Sequence, residues 1–558
     1  MYPPYTLFGC ALTSQDGTNA FPAGCPKWVL MAKLLDRYRE MAKFTVTSLE
    51  RHLLLISTVI AVLAALIVSR GCNYLLKRWR LSAYPLYEDK KVTPIEELHS
   101  SRDLIAKGFA KSQGKEIWRI NTTIGEVLVV SPKYIEKFRY GHGCSAAAYT
   151  ERELPISAPG YEPFTFASNE WRQRNADIIL HRLTGLVSNR KIELSEELSN
   201  ALELRWTNST DWHAVSLFQT MTAIVAQTTQ YFFTNRELCR NDAYIQSLFA
   251  YSSLAFTEGR SLMKWPRVLH PLVARFHPAS RNLQSALENV NKHIFPFVRE
   301  RRAEISRRRF EAAQSGKETP LADEWVAWLD EKAGNEDYNP GVAMVSFSVA
   351  SFHTTTDFMC QLLCDLARNP AIIEQLKEEA SDVLRDHTWT KSSFARLDLM
   401  DRCMKESQRL KPIGAVFLKS RAQKDISVEN GNTIPAGSLF VVSGHWMHDP
   451  AIYPEPEKFD PGRHLRHAEE SKPNKPKQFT AVSPEHMGWG YGKHSCPGRF
   501  FAATVAKMLL THILFKYEFK LPDGELNQHA YDFTTEILVR RRIEEGALNL
   551  DSFDSIDR

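Results

Sequence analysis

A glycine-rich loop around one cysteine is the feature that most constrains the fold of this chain. It runs from Met487 to Phe500 and reads MGWGYGKHSCPGRF. Glycine permits positive φ and a close approach of the backbone, so the loop can lie flat against a large planar ligand. Backbone N–H groups in the loop, and the start of a helix predicted at Pro497, would stabilise a thiolate on Cys496. No second Cys or His stands at chelating spacing, so the loop predicts one thiolate for an iron that a macrocycle already holds.

The sequence gives less support to four other interpretations: a phosphate-binding loop, a cysteine hydrolase, a disulfide framework and a zinc site. The loop lacks the Gly-Lys-Ser/Thr ending of a phosphate-binding P-loop. A cysteine hydrolase would need a histidine base, and nothing in the sequence marks one. The nine cysteines among 558 residues are sparse and irregularly spaced, and no Cys-x-x-Cys pair occurs. We therefore expect reduced thiols in a cytosol-facing protein, any one of which can serve as a ligand.

Composition and charge exclude several classes of protein. Hydrophobic residues make up 43% of the chain and charged residues 24%. These are globular values, which rule out a wholly disordered, collagen-like or multi-span membrane chain. With 70 Lys and Arg against 65 Asp and Glu, the net charge is only +5, and no long basic run occurs. Binding to nucleic acid is therefore not expected.

One apolar segment is a candidate membrane anchor. Residues 53–69 contain 17 residues without a charge between Arg51 and Arg70. A helix of that length spans about 26 Å, close to the hydrocarbon thickness of a bilayer. A buried core helix is the alternative, and a cleaved signal peptide is disfavoured because some fifty residues precede the segment. The basic residues on its two sides are too evenly balanced to set the orientation. We expect an N-terminal extension at 1–50, the anchor at 51–72, a linker at 73–94, one large domain at 95–545 and a tail at 546–558.

The large domain is predicted to be mainly helical. Residues 116–131 alternate in polarity and predict a β-hairpin. A long helix is predicted from 341 to 367, between one Asn-Pro pair that starts it and another that stops it. A helix this long usually crosses a core, yet its centre at 351–357 reads SFHTTTD. Either this polar face is turned to solvent, or the helix opens beside a ligand with hydroxyls placed to move protons.

Two further patterns are weak evidence of function when taken by themselves. Glu406 and Arg409 stand three residues apart on a predicted helix, and hence on one face of it. Arg463 follows a Phe-Asp-Pro turn further along the chain. Each pattern also occurs on ordinary protein surfaces, so neither decides a function alone.

Taken in order with the cysteine loop, these patterns resemble the cytochrome P450 superfamily of haem-thiolate monooxygenases, and in particular its fungal secondary-metabolism branch. The resemblance covers roughly residues 95–540. The family's haem loop, Phe-x-x-Gly-x-Arg-x-Cys-x-Gly, is matched by Trp489, Gly490, His494, Cys496 and Gly498. Trp489 replaces Phe as an aromatic able to pack under the haem ring, and His494 replaces Arg as a partner for a haem propionate. The resemblance implies a mainly α fold with small β-sheets, an N-terminal transmembrane helix, and a haem whose iron takes Cys496 as its axial thiolate.

The resemblance also implies roles outside the loop. Glu406, Arg409 and Arg463 are expected to form a structural triad that locks the haem-side core. Arg421 is expected to bind a haem propionate, with Lys419 as the competing candidate.

In the long helix, the resemblance gives Thr354 the oxygen-activating position. Two neighbours depart from the family pattern, since Ser351 stands where glycine is usual and His353 where an acid is usual. His353 is therefore the candidate to take over the acid's part in proton delivery.

The function that the resemblance implies is monooxygenation of a small apolar molecule with O2. Electrons would come from NADPH through a membrane-bound cytochrome P450 reductase, because no flavin or nicotinamide fingerprint is present. The expected location is the endoplasmic reticulum, single-pass, with the domain in the cytosol. A diterpenoid or indole-diterpene is the favoured substrate. The open alternatives are a reductase-independent isomerase or dehydratase and a membrane-anchored lipid- or terpenoid-binding protein. Expected pocket residues are Phe347, Ala350, Ala415 and Val416, for which ordinary core packing is an equal alternative. Lys493 and Arg499 are candidates to face the reductase, as is the loop with Lys472, Lys475 and Lys477, for which a merely solvated surface is favoured.

Overall fold

The computed structural model describes residues 26–543 apart from 89, 91, 113, 169–170, 267–268, 316–323, 388, 430, 471–477 and 524–530. The chain divides into two compact units, the first ending at Arg80 and the second beginning at Leu81. The predicted tail at 546–558 and the first 25 residues of the predicted extension lie outside the described residues.

The described part of the first unit is a single helix, α1 (Pro26–Leu81). Its stretch from His52 to Leu81 has 30 residues and is long and apolar enough to cross a membrane. Within the predicted extension at 1–50, α1 already begins at Pro26. Proline suits the first helical position, and residues 27–50 are mostly strong helix formers without a glycine or proline.

The second unit is mainly helical, as the sequence predicted. Its long helices are amphipathic or wholly buried and pack around one hydrophobic core. The helices are α2 (Ile95–Ser100), α3 (Arg102–Lys111), α4 (Ala146–Glu153), α5 (Glu162–Ser168), α6 (Trp171–Asp177), α7 (Thr184–Asn189), α8 (Lys191–Trp206), α9 (Leu217–Phe233), α10 (Arg236–Cys239), α11 (Asp242–Met263), α12 (His270–Phe276), α13 (Pro278–Gln314), α14 (Trp325–Ala333), α15 (Pro340–Ala367), α16 (Pro370–His387), α17 (Lys391–Arg396), α18 (Asp398–Leu410), α19 (Arg463–Glu470) and α20 (Arg499–Lys516).

Three small sheets accompany the helices. The largest has the strand order β1-β2-β3-β9-β6-β4, the second has the order β10-β11-β5, and β7 pairs with β8. In the largest sheet β2 and β3 form the predicted hairpin, and β3 runs parallel to β9. The strands are β1 (Leu86–Tyr87), β2 (Ile117–Thr122), β3 (Gly125–Val130), β4 (Cys144–Ser145), β5 (His213–Ser216), β6 (Val416–Ala422), β7 (Ile426–Ser427), β8 (Thr433–Ile434), β9 (Leu439–Ser443), β10 (Tyr517–Lys520) and β11 (Glu536–Arg541). The predicted fold class, mainly α with small β-sheets, is confirmed.

The segment predicted as a linker at 73–94 is not a separate connector. Its first part continues α1, and β1 then pairs in parallel with β2. Leu81, Tyr84 and Tyr87 are buried in the cores of the second unit. The segment 81–87 reads LSAYPLY and is too short and irregular to give a periodic signal, so the sequence did not reveal that these are core residues.

The long predicted helix is α15, and it crosses the core of the second unit. The side chain of Asn339 caps its first turn by accepting a hydrogen bond from the Val342 N–H at 3.1 Å. The helix ends just before Asn369 and Pro370, because the residue before a proline avoids the helical conformation. Most of its residues are buried against α5, α9, α13 and α18. The few that are not buried lie at its centre, where the candidate site is found.

Candidate active site

The cysteine loop has a backbone that requires glycine at two positions. Gly490 has φ +78° and Gly492 has φ +56°, which L-residues with side chains rarely adopt. A Cβ at Gly490 would lie 2.6 Å from the carbonyl oxygen of His494. A Cβ at Gly492 would collide with the carbonyl oxygen of Arg139, which accepts a hydrogen bond from the Lys493 N–H at 2.7 Å. The loop is therefore folded tightly on itself and against the chain around residue 139.

Hydrogen bonds hold the sulfur-bearing residue in this loop. The N–H of Cys496 donates to the carbonyl oxygen of Trp489 at 2.8 Å. The indole Nε1 of Trp489 donates to the carbonyl oxygen of Phe479 at 2.8 Å. The hydroxyl of Tyr491 donates to the carboxylate of Glu136, on the 3-10 helix that follows β3. The loop thus presents Cys496 from a backbone that is fixed on several sides.

The Cys496 thiol is subject to opposing influences on its pKa. The side chain is exposed to solvent, yet enough protein surrounds it that burial raises the pKa of its thiol. The N–H groups of Gly498 and Arg499, with the Arg499 guanidinium, act in the opposite direction and favour the thiolate, as the sequence predicted. Burial wins in the protein alone, so the thiol is protonated there. A metal cation bound to sulfur would reverse that balance, because a coordinating thiol loses its proton.

One glycine beside the sulfur is consistent with the haem that the resemblance implies. Gly498 has an ordinary φ of −83°, so its backbone does not require glycine. A Cβ there would meet only Ile179 at 3.7 Å and the sulfur of Cys496 at 3.9 Å. Ile179 lies in a π-helical turn, Ile178–Leu183, a distortion that often occurs at functional sites. The glycine therefore keeps open a gap directly beside the exposed sulfur, which a flat ligand would fill.

Two arginines, on β6 and α4, are candidates to bind the propionates of such a ligand. Burial lowers the pKa of Arg152 on α4, and the charge of nearby Arg421 on β6 lowers it further. Among the described residues neither arginine makes an ion pair with a carboxylate. The competing candidate Lys419 is already engaged, since its Nζ donates to Glu153 at 3.1 Å. The structure thus favours Arg421 over Lys419, and it adds Arg152, which no sequence pattern indicated.

The accessible residues of α15 lie on one face at its centre. Ala350 and Thr354 are exposed, although the turns before and after them are buried. The hydroxyl of Thr354 donates to the Ala350 carbonyl at 3.2 Å, and that of Thr355 donates to the Ser351 carbonyl at 2.8 Å. These bonds to carbonyls one turn earlier are the ones predicted for hydroxyls in this helix. Exposure in the middle of a buried helix means that α15 borders an internal space.

Aromatic contacts join this face of α15 to the cysteine loop. Phe358 follows Thr354 by one turn and stacks on Phe479, with ring centroids 4.9 Å apart. Phe479 in turn packs on Trp489 at 5.0 Å, and the Trp489 carbonyl accepts the hydrogen bond from Cys496. The turn of α15 that follows Thr354 and the cysteine loop therefore pack in the same part of the core.

His353 is turned towards α11. Its Nε2 is hydrogen-bonded to the hydroxyl of Ser252 on α11. The rings of Phe249, Phe256 and Phe352 surround it, and burial lowers its pKa to about 4. The imidazole is therefore neutral at pH 7 and fastens α15 to α11. The sequence showed the unusual histidine but could not show its partner.

The predicted triad assembles around a carboxylate that is fully buried. Arg409 donates to both oxygens of Glu406 at 2.9 Å, and Arg463 donates to Oε1 at 2.8 Å. A fourth residue that the sequence analysis missed, His464, contacts Oε2 through its Nε2 at 3.0 Å. The two arginines also donate to the backbone carbonyls of 447, 454, 455, 456 and 458. The site around Arg463 is therefore a buried network, and the alternative of a surface loop is wrong.

The four residues predicted to line the pocket lie in different parts of the fold. Ala350 lies on the open face of α15, whereas the Phe347 ring packs in the core, 4.5 Å from that of Trp325. Phe347 stays a candidate for the pocket wall, because it lies about two turns before Thr354 on the same side of α15. Ala415 lines another cavity, of about 370 Å³, between α3 and the 3-10 helix His445–His448. Val416 is buried and begins β6.

The residues expected to face a reductase are only partly described. Lys493 is exposed on the cysteine loop. Arg499 is half-buried, and its guanidinium donates to the carbonyl oxygen of Cys496 at 2.9 Å. Lys472, Lys475 and Lys477 lie outside the described residues.

Two glycine variants should separate the fold of the loop from its ligand. Gly490→Ala is expected to lower the free energy of unfolding by about 1–3 kcal/mol, because it forces a positive φ on alanine. Gly498→Ala is expected to leave that free energy unchanged and to reduce the haem bound per chain, because its Cβ enters the gap beside the sulfur. Urea denaturation and the ratio of haem to protein absorbance measure the two effects. Normal haem content in Gly498→Ala would contradict the placement of the ligand in that gap.

Comparisons with known proteins point in one direction. The sequence model of the family described as Cytochrome P450 matches residues 106–542. The chain is 99% identical over 518 residues to the fusicoccin H C-9 hydroxylase of Phomopsis amygdali, covering 93% of this chain and 100% of that protein. It is 32% identical over 512 residues to the dideacetyl fusicoccin A C-19 hydroxylase of the same fungus, covering 89% and 95%.

A solved structure shows the same fold. The crystal structure of the cytochrome P450DA heme domain superposes with a TM-score of 0.60 at 18% sequence identity. The match covers 82% of this chain and 97% of that one. At this level of identity the similarity concerns the fold alone.

Proposed function

The chain belongs to the cytochrome P450 family, and from this premise we propose that it is a membrane-anchored hydroxylase of a fusicoccin-type diterpenoid. The family predicted from the sequence is confirmed, and with it the monooxygenase class and a haem whose iron takes a cysteine thiolate. A monooxygenase of this family uses O2, a redox partner and a small hydrophobic substrate.

One observation carries the proposed substrate. The relative named for hydroxylation of fusicoccin H at C-9 is 99% identical to this chain over 518 residues, which are the whole of that relative and 93% of this chain. The pocket of an enzyme rarely changes its substrate class when so few residues differ, so we assign C-9 of fusicoccin H to this chain. Of the two substrate classes expected from the sequence, this favours the diterpenoid over the indole-diterpene.

The chain's own residues have separable tasks in this proposal. When bound, the haem activates dioxygen with electrons from the redox partner and places one oxygen atom on the substrate. Cys496 ligates the iron, and Gly498 leaves room for the ring beside the sulfur. Arg421, Arg152 and His494 bind the propionates, since the two arginines have no carboxylate partner among the described residues. Trp489 packs under the ring, supported by its bond to Phe479.

On the opposite wall, α15 supplies the surface that the substrate and dioxygen meet. Ala350 has the smallest side chain on the open face and leaves space for a bulky apolar molecule. Thr354 presents a hydroxyl to the same space and serves in proton delivery. His353 positions this part of α15 through Ser252, which is a change from its expected part as a proton source. Val416, the first residue of β6, stays a candidate for the pocket wall.

The proposed cellular setting follows from α1. The stretch from His52 to Leu81 anchors the chain in the endoplasmic reticulum membrane, with the second unit in the cytosol. There an NADPH–cytochrome P450 reductase in the same membrane delivers the electrons, with Lys493 on the exposed side of the cysteine loop as a docking charge.

Conversion of fusicoccin H tests this function. Microsomes that contain the chain and the reductase are expected to turn fusicoccin H into a product heavier by one oxygen atom, with the new hydroxyl at C-9 and only when NADPH is supplied. Mass spectrometry and NMR of the product measure the result, and microsomes with reductase alone are the control. Conversion without NADPH would instead support the reductase-independent isomerase or dehydratase. Oxidation of an indole-diterpene but not of fusicoccin H would refute the substrate.

A further inference from the structure

The open face of α15 contains one acidic residue. At its centre Ala350 and Thr354 are exposed, and His353, Asp357 and Phe358 are half-buried. At about 100° per residue these five side chains fall within about 140° of one another around the helix axis. On that arc Asp357 lies between His353 and Thr354. Asp357 is three residues after Thr354, a spacing that makes two helix side chains neighbours.

The residue at the position where an acid was expected does not serve as one. His353 is bonded to Ser252 on α11, and burial among aromatic rings lowers its pKa to about 4. It is neutral at the pH of the cytosol and its bonded nitrogen faces α11. The acid for the open face must therefore come from another residue.

Two donors orient the carboxylate of Asp357. The hydroxyl of Tyr531 donates to its Oδ1 at 2.5 Å, and the Nζ of Lys411 approaches the same oxygen at 3.4 Å. The Lys411 ammonium also lies 3.7 Å from the centroid of the Tyr531 ring. The side chains of Asp357 and Lys411 remain 32% and 29% exposed. The carboxylate is thus fixed in direction while it stays in contact with water.

We infer that Asp357, held by Tyr531 and Lys411, is the acid through which protons from water reach Thr354 on the open face of α15. The inference deepens the proposed function and rests on the role given there to Thr354. Hydroxylation consumes one O2, two electrons and two protons, and it yields the alcohol and one water. The redox partner supplies the electrons. Each proton is taken up from water by the Asp357 carboxylate and passed to the Thr354 hydroxyl oxygen as that hydroxyl gives up its own, so both side chains return to their starting state.

The experiment compares four variants of the haem-loaded protein with reductase. Asp357→Asn removes the acid, Asp357→Glu restores a carboxylate, and Thr354→Ala removes its acceptor. Asp330→Asn is the matched control, because Asp330 likewise accepts from a tyrosine hydroxyl and pairs with a cation, but on α14. The measurements are product formed per NADPH, hydrogen peroxide released, and the D2O isotope effect on NADPH oxidation.

Asp357→Asn is expected to form product about 100-fold more slowly than wild type, the lower end of what a positioned acid contributes. Peroxide release and the isotope effect should rise, Asp357→Glu should recover most of the rate, and Asp330→Asn should match wild type. Loss in Thr354→Ala with wild-type behaviour in Asp357→Asn would overturn the inference and leave the proposed function intact. If wild type oxidises no diterpenoid, the substrate is refuted, and the isotope effect on NADPH oxidation still decides the part of Asp357.

A measurement without turnover checks the contact itself. Burial and then the Asp357 carboxylate raise the pKa of Tyr531 far above its usual value. In Asp357→Asn this pKa should fall, so that phenolate absorbance assigned by difference from Tyr531→Phe appears at lower pH. An unchanged titration would show that the two side chains do not meet in solution, and the inference would be wrong.

Discussion

Replacing Cys496 by serine is expected to abolish the thiolate-type absorption band of the reduced, CO-bound protein and all hydroxylation. The sulfur is the side-chain atom that the loop presents to the gap beside Gly498. A serine hydroxyl has almost the same size, so the loop should keep its bonds from residue 496 to Trp489 and from Arg499 to the 496 carbonyl. What is lost is a ligand that becomes an anion at neutral pH and donates electron density to the iron. The CO difference spectrum and the product yield measure this result.

The matched control for this variant is Cys72→Ser. Cys72 is also an exposed free thiol, but it lies on α1, in the first unit. This control should retain the band and the activity. A thiolate band that survives in Cys496→Ser would show that another sulfur ligates the iron, and the site built around the loop would then be wrong. Equal loss in both variants would point to general damage by serine substitution.

The parts of the fold that local sequence controls were predictable. The bounds of α15 follow from an Asn cap and two prolines, and the β2–β3 hairpin follows from alternation over a dozen residues. The tight loop around Cys496 was recognisable because positive φ at Gly490 and Gly492 leaves glycine as the residue that fits. In each case the physical cause lies within a few residues of its effect.

The parts that depend on distant partners were not predictable. The largest sheet joins β3 to β9, which are about three hundred residues apart in the chain, and no local pattern encodes that pairing. The same limit hid the neutral state of His353, which depends on burial against rings from α11. It also hid the contact between His464 and Glu406, although the family pattern identified the neighbouring Arg463. Burial of Phe347 depends likewise on Trp325, on another helix.

Glu406→Gln is expected to destabilise the second unit by about 3–5 kcal/mol, because it leaves buried cations without their counter-charge. The side chains of Glu406 and Arg409 are 0% exposed and that of Arg463 is 3% exposed, so water cannot replace the missing carboxylate. Burial alone would raise the pKa of Glu406, but hydrogen bonds from His464 and Arg409 and the Arg409 charge hold it well below its usual range. Urea denaturation of the variant and of wild type at pH 7 measures the loss.

The control and the pH dependence make this second prediction specific. Glu331→Gln removes one partner of an equally well-formed bidentate pair with Arg182, but at the surface, and should cost about 1 kcal/mol or less.

The pH dependence of stability gives a second test. Because the folded pKa of Glu406 is depressed, its contribution to the free energy of unfolding is complete above the unfolded pKa of about 4.3 and is lost as the pH falls below it. His464, with its pKa lowered to about 4, adds a loss that begins as the pH falls through about 6.5, where the unfolded imidazole takes up a proton. Wild type should therefore lose stability more steeply than Glu406→Gln as the pH falls below about 4.3, whereas the loss through His464 at higher pH remains in the variant. Parallel curves for the two proteins, or an equal cost for Glu331→Gln, would show that the buried carboxylate does not hold this part of the core together.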